Sequence, residues 1–205
     1  MSELSLTQTG MDEELARAEV YGVLAQLFHA PPSAERLATL RMAVTEAPVP
    51  GSFLEEPWRQ VVGAARQRSD AEITDEWEAL FGGVGKPAVL PYGSHYLSGY
   101  LNDKPLATLR GDLAALGLGR DEAGGETEDH IAYLCEVMRY LIAGDDVAVA
   151  NLTQQQRFFA THLQPWVSRL CEDIVAQPAA HFYRALALFT QAFISVEAQG
   201  FDMAA

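Results

Sequence analysis

A chain of 205 residues that is 49% hydrophobic and 20% charged can bury a sizeable core and is too apolar to stay disordered. Its formal net charge of −14 disfavours nucleic acid, whose phosphates are bound mainly by Lys and Arg, and favours basic partners. The opening residues MSELSLTQTGMDEEL carry neither a basic n-region nor an apolar h-region, and no apolar run approaches the ~18 residues of a membrane span. We therefore expect a cytoplasmic protein with no secretory signal and no stable membrane insertion.

From Leu15, apolar residues recur at helical spacing through Val20, Leu24, Leu27 and Phe28, until the PPS at 31–33 stops the helix. Ser33 is the expected N-cap of a second helix carrying Leu37, Leu40 and Val44. Pro57 suits the first turn of a third, where its missing N–H costs nothing. Ser69 and Glu72 have capping-box spacing and predict a helix through Ile73, Trp77, Leu80 and Phe81, ended by Gly82 and Gly83. A helix is expected over about Tyr100 to Leu116, then a polar glycine-rich connection whose residues 117–126 form a possible hinge. Ile131, Leu134, Cys135, Met138, Leu141 and Ile142 make one apolar stripe, with Thr127 as expected cap and Glu128 and Asp129 at the positive end of the dipole. Further helices are predicted over about 147–163, 166–176 and 179–198. No region alternates as a strand would, and no internal repeat occurs. The expected fold class is all-α, a single globular multi-helix domain over 1–205.

Between the fourth and fifth predicted helices lies EWEALFGGVGKPAVLPYGSHYL, Glu76 to Leu97, rich in glycine and proline yet also in aromatic residues. Loops are ordinarily polar, so this segment either cradles a phosphate, packs as structure, or offers an apolar surface to a partner. A phosphate loop requires G-x-x-x-x-G-K-[ST] after a strand. Here Leu80 occupies the first glycine position, Pro87 replaces the hydroxyl, and a helix precedes. None of the five histidines has Glu three residues before it, and no two are four apart, which disfavours di-iron and zincin sites. There is no G-x-S-x-G, and the two cysteines, Cys135 and Cys171, fall in apolar helical patterns and suit neither a disulfide framework nor a thiolate zinc site. No cofactor or metal is therefore expected. GETEDHIAYLCEVM, Gly125 to Met138, reads either as an acidic helix start or as part of a binding site.

Taken in order, YGVLAQLFHAP (Tyr21–Pro31), EWEALF (Glu76–Phe81), PYGSHY (Pro91–Tyr96), DHIAYLCEVM (Asp129–Met138), FFATHLQPW (Phe158–Trp166) and FYRALA (Phe182–Ala187) sample nearly the whole chain. In that order they resemble the TorD/DmsD/NarJ-like redox-enzyme maturation chaperones. Leu90 and Gly93 depart from the pattern, standing where many relatives have a second proline and several have Glu; Cys135 stands where members often have a larger residue. The resemblance implies an all-helical cytoplasmic chaperone, not an enzyme. Its implied partners are the twin-arginine leader peptide and the apo-form of a molybdoenzyme catalytic subunit, without nucleic acid, the chaperone being a monomer or a dimer. Carried over position by position, the implied peptide-binding residues are Trp77, Leu80, Phe81, Pro87, Pro91, Tyr92, Ser94, Tyr96, Asp129 and His130. Asp129, with Glu126 and Glu128 nearby, is suited to meet leader arginines. Two alternatives stay open: a scaffold or dimerisation module, and an enzyme using Asp129 and His130.

Overall fold

The structure, a computed structural model, describes residues 2–45, 53–82, 86–119 and 125–204. Among these residues lie ten α-helices and no strand, so the chain is all-α as its periodicity predicts. Two compact units emerge, and each is built from discontinuous chain. One comprises Met1–His29 with Tyr92–Pro165; the other comprises Ala30–Pro91 with Trp166–Ala205. The chain passes between them at 29–30, 91–92 and 165–166, and Pro31, Pro91 and Pro165 mark the crossings.

In the first unit, α1 (Ser2–His29) packs chiefly on α7 (Ile131–Ala143). Leu24, Leu27 and Phe28 of α1 are fully buried, and all six residues of the α7 stripe are buried with them. Each large side chain removed from water there contributes about 1.5–3 kcal/mol, which makes this pair the unit's chief source of stability. The end of α7 is held by Gln155 of α8 (Leu152–His162), whose Nε2 donates to the Leu141 carbonyl at 3.1 Å. Between α6 (Lys104–Ala115) and α8, Asp112 accepts from Arg157 at 3.0 Å and pairs with His162 Nε2 at 2.9 Å.

The second unit is organised around α10 (Phe182–Met203), which packs on α3 (Glu55–Gln67), α4 (Asp70–Phe81) and α9 (Val167–Val175). Phe182, Leu186, Phe189 and Phe193 form its buried stripe, and the Trp58 ring lies 5.3 Å from that of Phe189. Two arginines close the helix ends that Gly or Asn would otherwise cap. Arg41 of α2 (Ala34–Met42) donates to the Ala65 and Arg68 carbonyls at 2.8 Å each, and Arg66 donates back to the Arg41 carbonyl at 2.8 Å. Ser33 caps α2, and the Ser69–Glu72 capping box of α4 forms in full.

Among the boundaries that differ from expectation, four have a clear local reason. Residues 93–98, expected as loop, form a short helix α5 (Gly93–Ser98), ended by Gly99 at φ 84°. With Asn102 also at φ 59°, the chain cannot run helically from Tyr100, and α6 starts at Lys104. Thr127 does not cap α7, because its hydroxyl donates to Asp129 at 2.6 Å and its carbonyl accepts the His130 N–H in a turn. His130 caps instead, its Nδ1 accepting the Ala132 N–H at 3.2 Å. Asp146 folds the chain into a turn by accepting the Ala148 and Ala150 N–H groups, so α8 waits for its cap at Asn151. The expected hinge at 117–126 lies partly outside the described residues; Gly117, at φ 71°, follows the end of α6.

Candidate functional site

The ten expected site residues fall into two groups, Trp77 to Pro91 in one unit and Tyr92 to His130 in the other. Each group is built around a buried carboxylate.

In the first group the carboxylate is Glu76, on the same buried face of α4 as Ile73 and Leu80. It is 6% exposed, and burying a charge is costly unless it is fully hydrogen-bonded. The bonds come from the start of α10, a helix whose own N-cap position, His181, makes no side-chain cap. The N–H groups of His181 and Tyr183 donate to Oε1 at 2.7 Å each, and that of Phe182 donates to Oε2 at 3.1 Å. Three orphan donors and the positive end of a helix dipole are thus satisfied by a residue more than a hundred positions away. Burial, and the Glu76 charge after it, push the Tyr183 phenol well above its usual range.

Beside Glu76, Trp77 and Phe81 remain half-buried, their ring centroids 6.0 Å apart, and Phe81 meets the edge of Tyr183 at 5.3 Å. The indole N–H of Trp77 is buried and has no partner among the described residues. Gly82 permits the close packing here, since a Cβ on it would lie 3.0 Å from Trp77 Cζ3. The segment after it folds back: the Val89 N–H donates to the Leu80 carbonyl at 2.9 Å, and Val89, Leu80 and Pro91 are buried while Pro87 is half-exposed. Part of this aromatic, glycine-rich segment is therefore packed structure.

In the second group the carboxylate is Asp129, 3% exposed. Its Oδ2 accepts the Ser94 N–H at 2.8 Å and its Oδ1 accepts the Thr127 hydroxyl, while its carbonyl accepts the Gly93 N–H at 2.9 Å. With the isolated antiparallel bridge between Tyr92 and His130, these bonds tie the start of α5 to the start of α7. Ser94 is fully buried and Tyr96 nearly so, and the Ser94 hydroxyl accepts the Asn102 N–H at 3.2 Å. His130 is 4% exposed, and burial pushes its imidazole down to about 4 against the upward pull of Glu126 and Asp129. At neutral pH it is an uncharged ring whose Nδ1 accepts the cap bond. Around it stand Tyr92 at 5.1 Å, Tyr133 at 6.1 Å and His29 at 6.5 Å between centroids. The Tyr92 hydroxyl donates to Glu126, and burial with that carboxylate raises its phenol well above the ordinary value. Glu128 is forked by Arg110, which donates to both its oxygens at 2.8–3.0 Å.

Sequence reasoning missed Glu76, Tyr133 and His29, and named Glu126 only as a neighbour of Asp129. Glu76 carried a legible sign, a charge in an apolar helical stripe; His29 and Tyr133 carried none, because only the fold sets them beside Tyr92 and His130. Both cysteines are buried, and burial pushes the Cys171 thiol up to about 12, so it is a core residue rather than a nucleophile.

Comparison with known proteins adds the family context. Residues 51–172 match the family described as nitrate reductase delta subunit. The chain is 27% identical to the chaperone protein TorD of Vibrio cholerae, covering 91% of this chain and 92% of that protein. It is 29% identical to the chaperone protein TorD of Shewanella loihica, covering 97% and 98%. A crystal structure of a proposed redox enzyme maturation protein from Archaeoglobus fulgidus shares the fold, with a TM-score of 0.56 at 15% identity over 87% of this chain and 93% of that one.

Proposed function

The chain belongs to the nitrate reductase delta subunit family, the TorD-like group its motifs resemble, and from that membership we propose that it is a cytoplasmic maturation chaperone. Its client is the apo-form of a molybdenum-containing redox enzyme, which it recognises by a twin-arginine leader before export or assembly. The observation that carries this reading is a division of labour. In one unit Trp77, Phe81 and Pro87 stay half-exposed while Leu80 and Pro91 are buried; in the other Tyr92 stays half-exposed while Ser94, Tyr96, Asp129 and His130 are buried.

A leader combines arginines with an apolar stretch. The half-exposed rings offer apolar surface, and burying it against the stretch contributes ~25 cal/mol per Å² removed from water. The acidic chain draws a basic segment in. The buried members act by holding the exposed ones: Glu76 anchors α4 under Trp77, and Asp129 anchors Tyr92 through α5. The similar proteins of Vibrio cholerae and Shewanella loihica are named chaperones, not enzymes.

Titrating a twin-arginine leader peptide against wild type, Trp77→Ala and Phe81→Ala, with melting temperatures measured alongside, tests it. Weakened binding with little change in melting temperature supports the proposal. If the rings are only core, alanine costs the fold about 3–5 kcal/mol and the folded fraction binds as before. That outcome would remove them from the site.

A further inference from the structure

Three carboxylates stand within four residues of one another at 126, 128 and 129, and a client arginine needs only one of them. Resting on the client reading above, we infer that Glu126 takes the guanidinium, beside the Tyr92 ring of the aromatic cluster around His130, and that Asp129 and Glu128 do not.

The choice follows from which oxygens are already spent. Asp129 is buried, and each of its oxygens accepts a donor from the chain, the Ser94 N–H and the Thr127 hydroxyl. Reaching it would break both bonds and release α5. Glu128 has its two oxygens forked by Arg110. A second guanidinium there would have to displace the first at no gain. Glu126 is half-exposed, accepts the Tyr92 hydroxyl on Oε2, and has no partner for Oε1 among the described residues. It therefore holds the one oxygen of the three carboxylates that is open to a charge-assisted bond.

Its surroundings suit a planar cation. Tyr92 and Tyr133 are half-exposed and His29 is exposed, each with its ring centroid 5.1–6.5 Å from that of buried His130, and the His29 and Tyr133 rings are 5.6 Å apart. Aromatic faces attract a guanidinium within ~6 Å, and stacking on one ring leaves its N–H fork free for the carboxylate. The two polar groups at the centre do not oppose it. Burial keeps the His130 ring uncharged at pH 7, and Tyr92 keeps its proton and remains a donor to Glu126. Glu126 is also the carboxylate acting most strongly on both rings, so its charge is directed into this cluster. A lysine ammonium makes the ionic contact but neither the fork nor the flat stack, and the subsite should prefer arginine.

The experiment titrates the full chain with a labelled peptide of two adjacent arginines followed by an apolar stretch, and with its double-lysine counterpart. Wild type should favour the arginine peptide. Glu126→Gln should weaken it by about ten- to a hundredfold and bring the two peptides to similar affinity, with the melting temperature retained. Tyr133→Leu, which keeps bulk but removes the ring, should weaken the arginine peptide by about two- to fivefold. Tyr92→Phe frees the carboxylate and should bind at least as tightly as wild type. Wild-type affinity and arginine preference in Glu126→Gln would overturn the subsite while leaving the client reading standing. Failure of wild type to bind either peptide would overturn the client reading itself.

Discussion

Glu76 and Asp129 are both buried carboxylates, one in each unit, and they solve the same problem differently. Glu76 spends its charge on three backbone N–H groups at the start of a 22-residue helix from a distant part of the chain. Asp129 spends its charge on one backbone N–H, that of Ser94 in a six-residue helix, and on the hydroxyl of its neighbour Thr127. Glu76 therefore holds the architecture of its unit, and Asp129 holds the geometry of a short segment. A carboxylate in a family motif need not touch a partner to matter: it can fix the residues that do.

Glu76→Ala breaks the comparison most sharply. It leaves three donors, two of them buried, unpaired at once and should cost about 3–5 kcal/mol in urea denaturation. A loss below about 1 kcal/mol would show that water replaces the carboxylate, and the architectural role would fall.

Asp129→Ala should cost less, about 2–3 kcal/mol, since fewer donors depend on it. Amide exchange separates the two variants. Asp129→Ala should expose the Ser94 amide while α10 stays protected; uniform loss of protection would make Asp129 as global as Glu76.

His130 gives the neighbourhood of Asp129 a pH dependence. Its folded value of about 4 lies below the ordinary histidine value near 6.5, so the unfolded chain binds more protons between those limits. The stabilisation is complete above about pH 6.5 and is lost as pH falls towards 4, amounting to about 2 kcal/mol between pH 7 and 5. Burial lowers His162 as well, which adds in the same direction. His130→Asn keeps a cap acceptor and should flatten, without abolishing, the fall in melting temperature over that range. Equal slopes in the two proteins would take His130 out of the account.

The smallest effect contrasts a local cap with a distant one. Ser69→Ala removes the capping box of α4 and should cost about 1 kcal/mol, well short of Glu76→Ala on the same helix. Chemical denaturation of both variants ranks them, and equal costs would mean that the distant cap adds nothing beyond an ordinary one.

What the amino-acid sequence determined by itself was everything decided within a turn or two of helix. The stripe Ile131, Leu134, Cys135, Met138, Leu141, Ile142 needed only a period of 3.6 to be read, and the caps at Ser33 and Ser69 needed only neighbours three residues on. The half-exposed Trp77, Phe81 and Tyr92 were visible as aromatic residues in the wrong kind of loop. The tertiary structure alone decided where the charges went. Thr127 looked like a cap and became a partner of Asp129, whose other oxygen is held by the Ser94 N–H from 35 residues away. Glu76 looked like one more acid on a helix and became the cap of α10. Hydrophobic burial is non-directional and leaves a periodic trace along the chain, whereas a hydrogen bond needs two groups within about 3 Å, and only the fold brings those groups together.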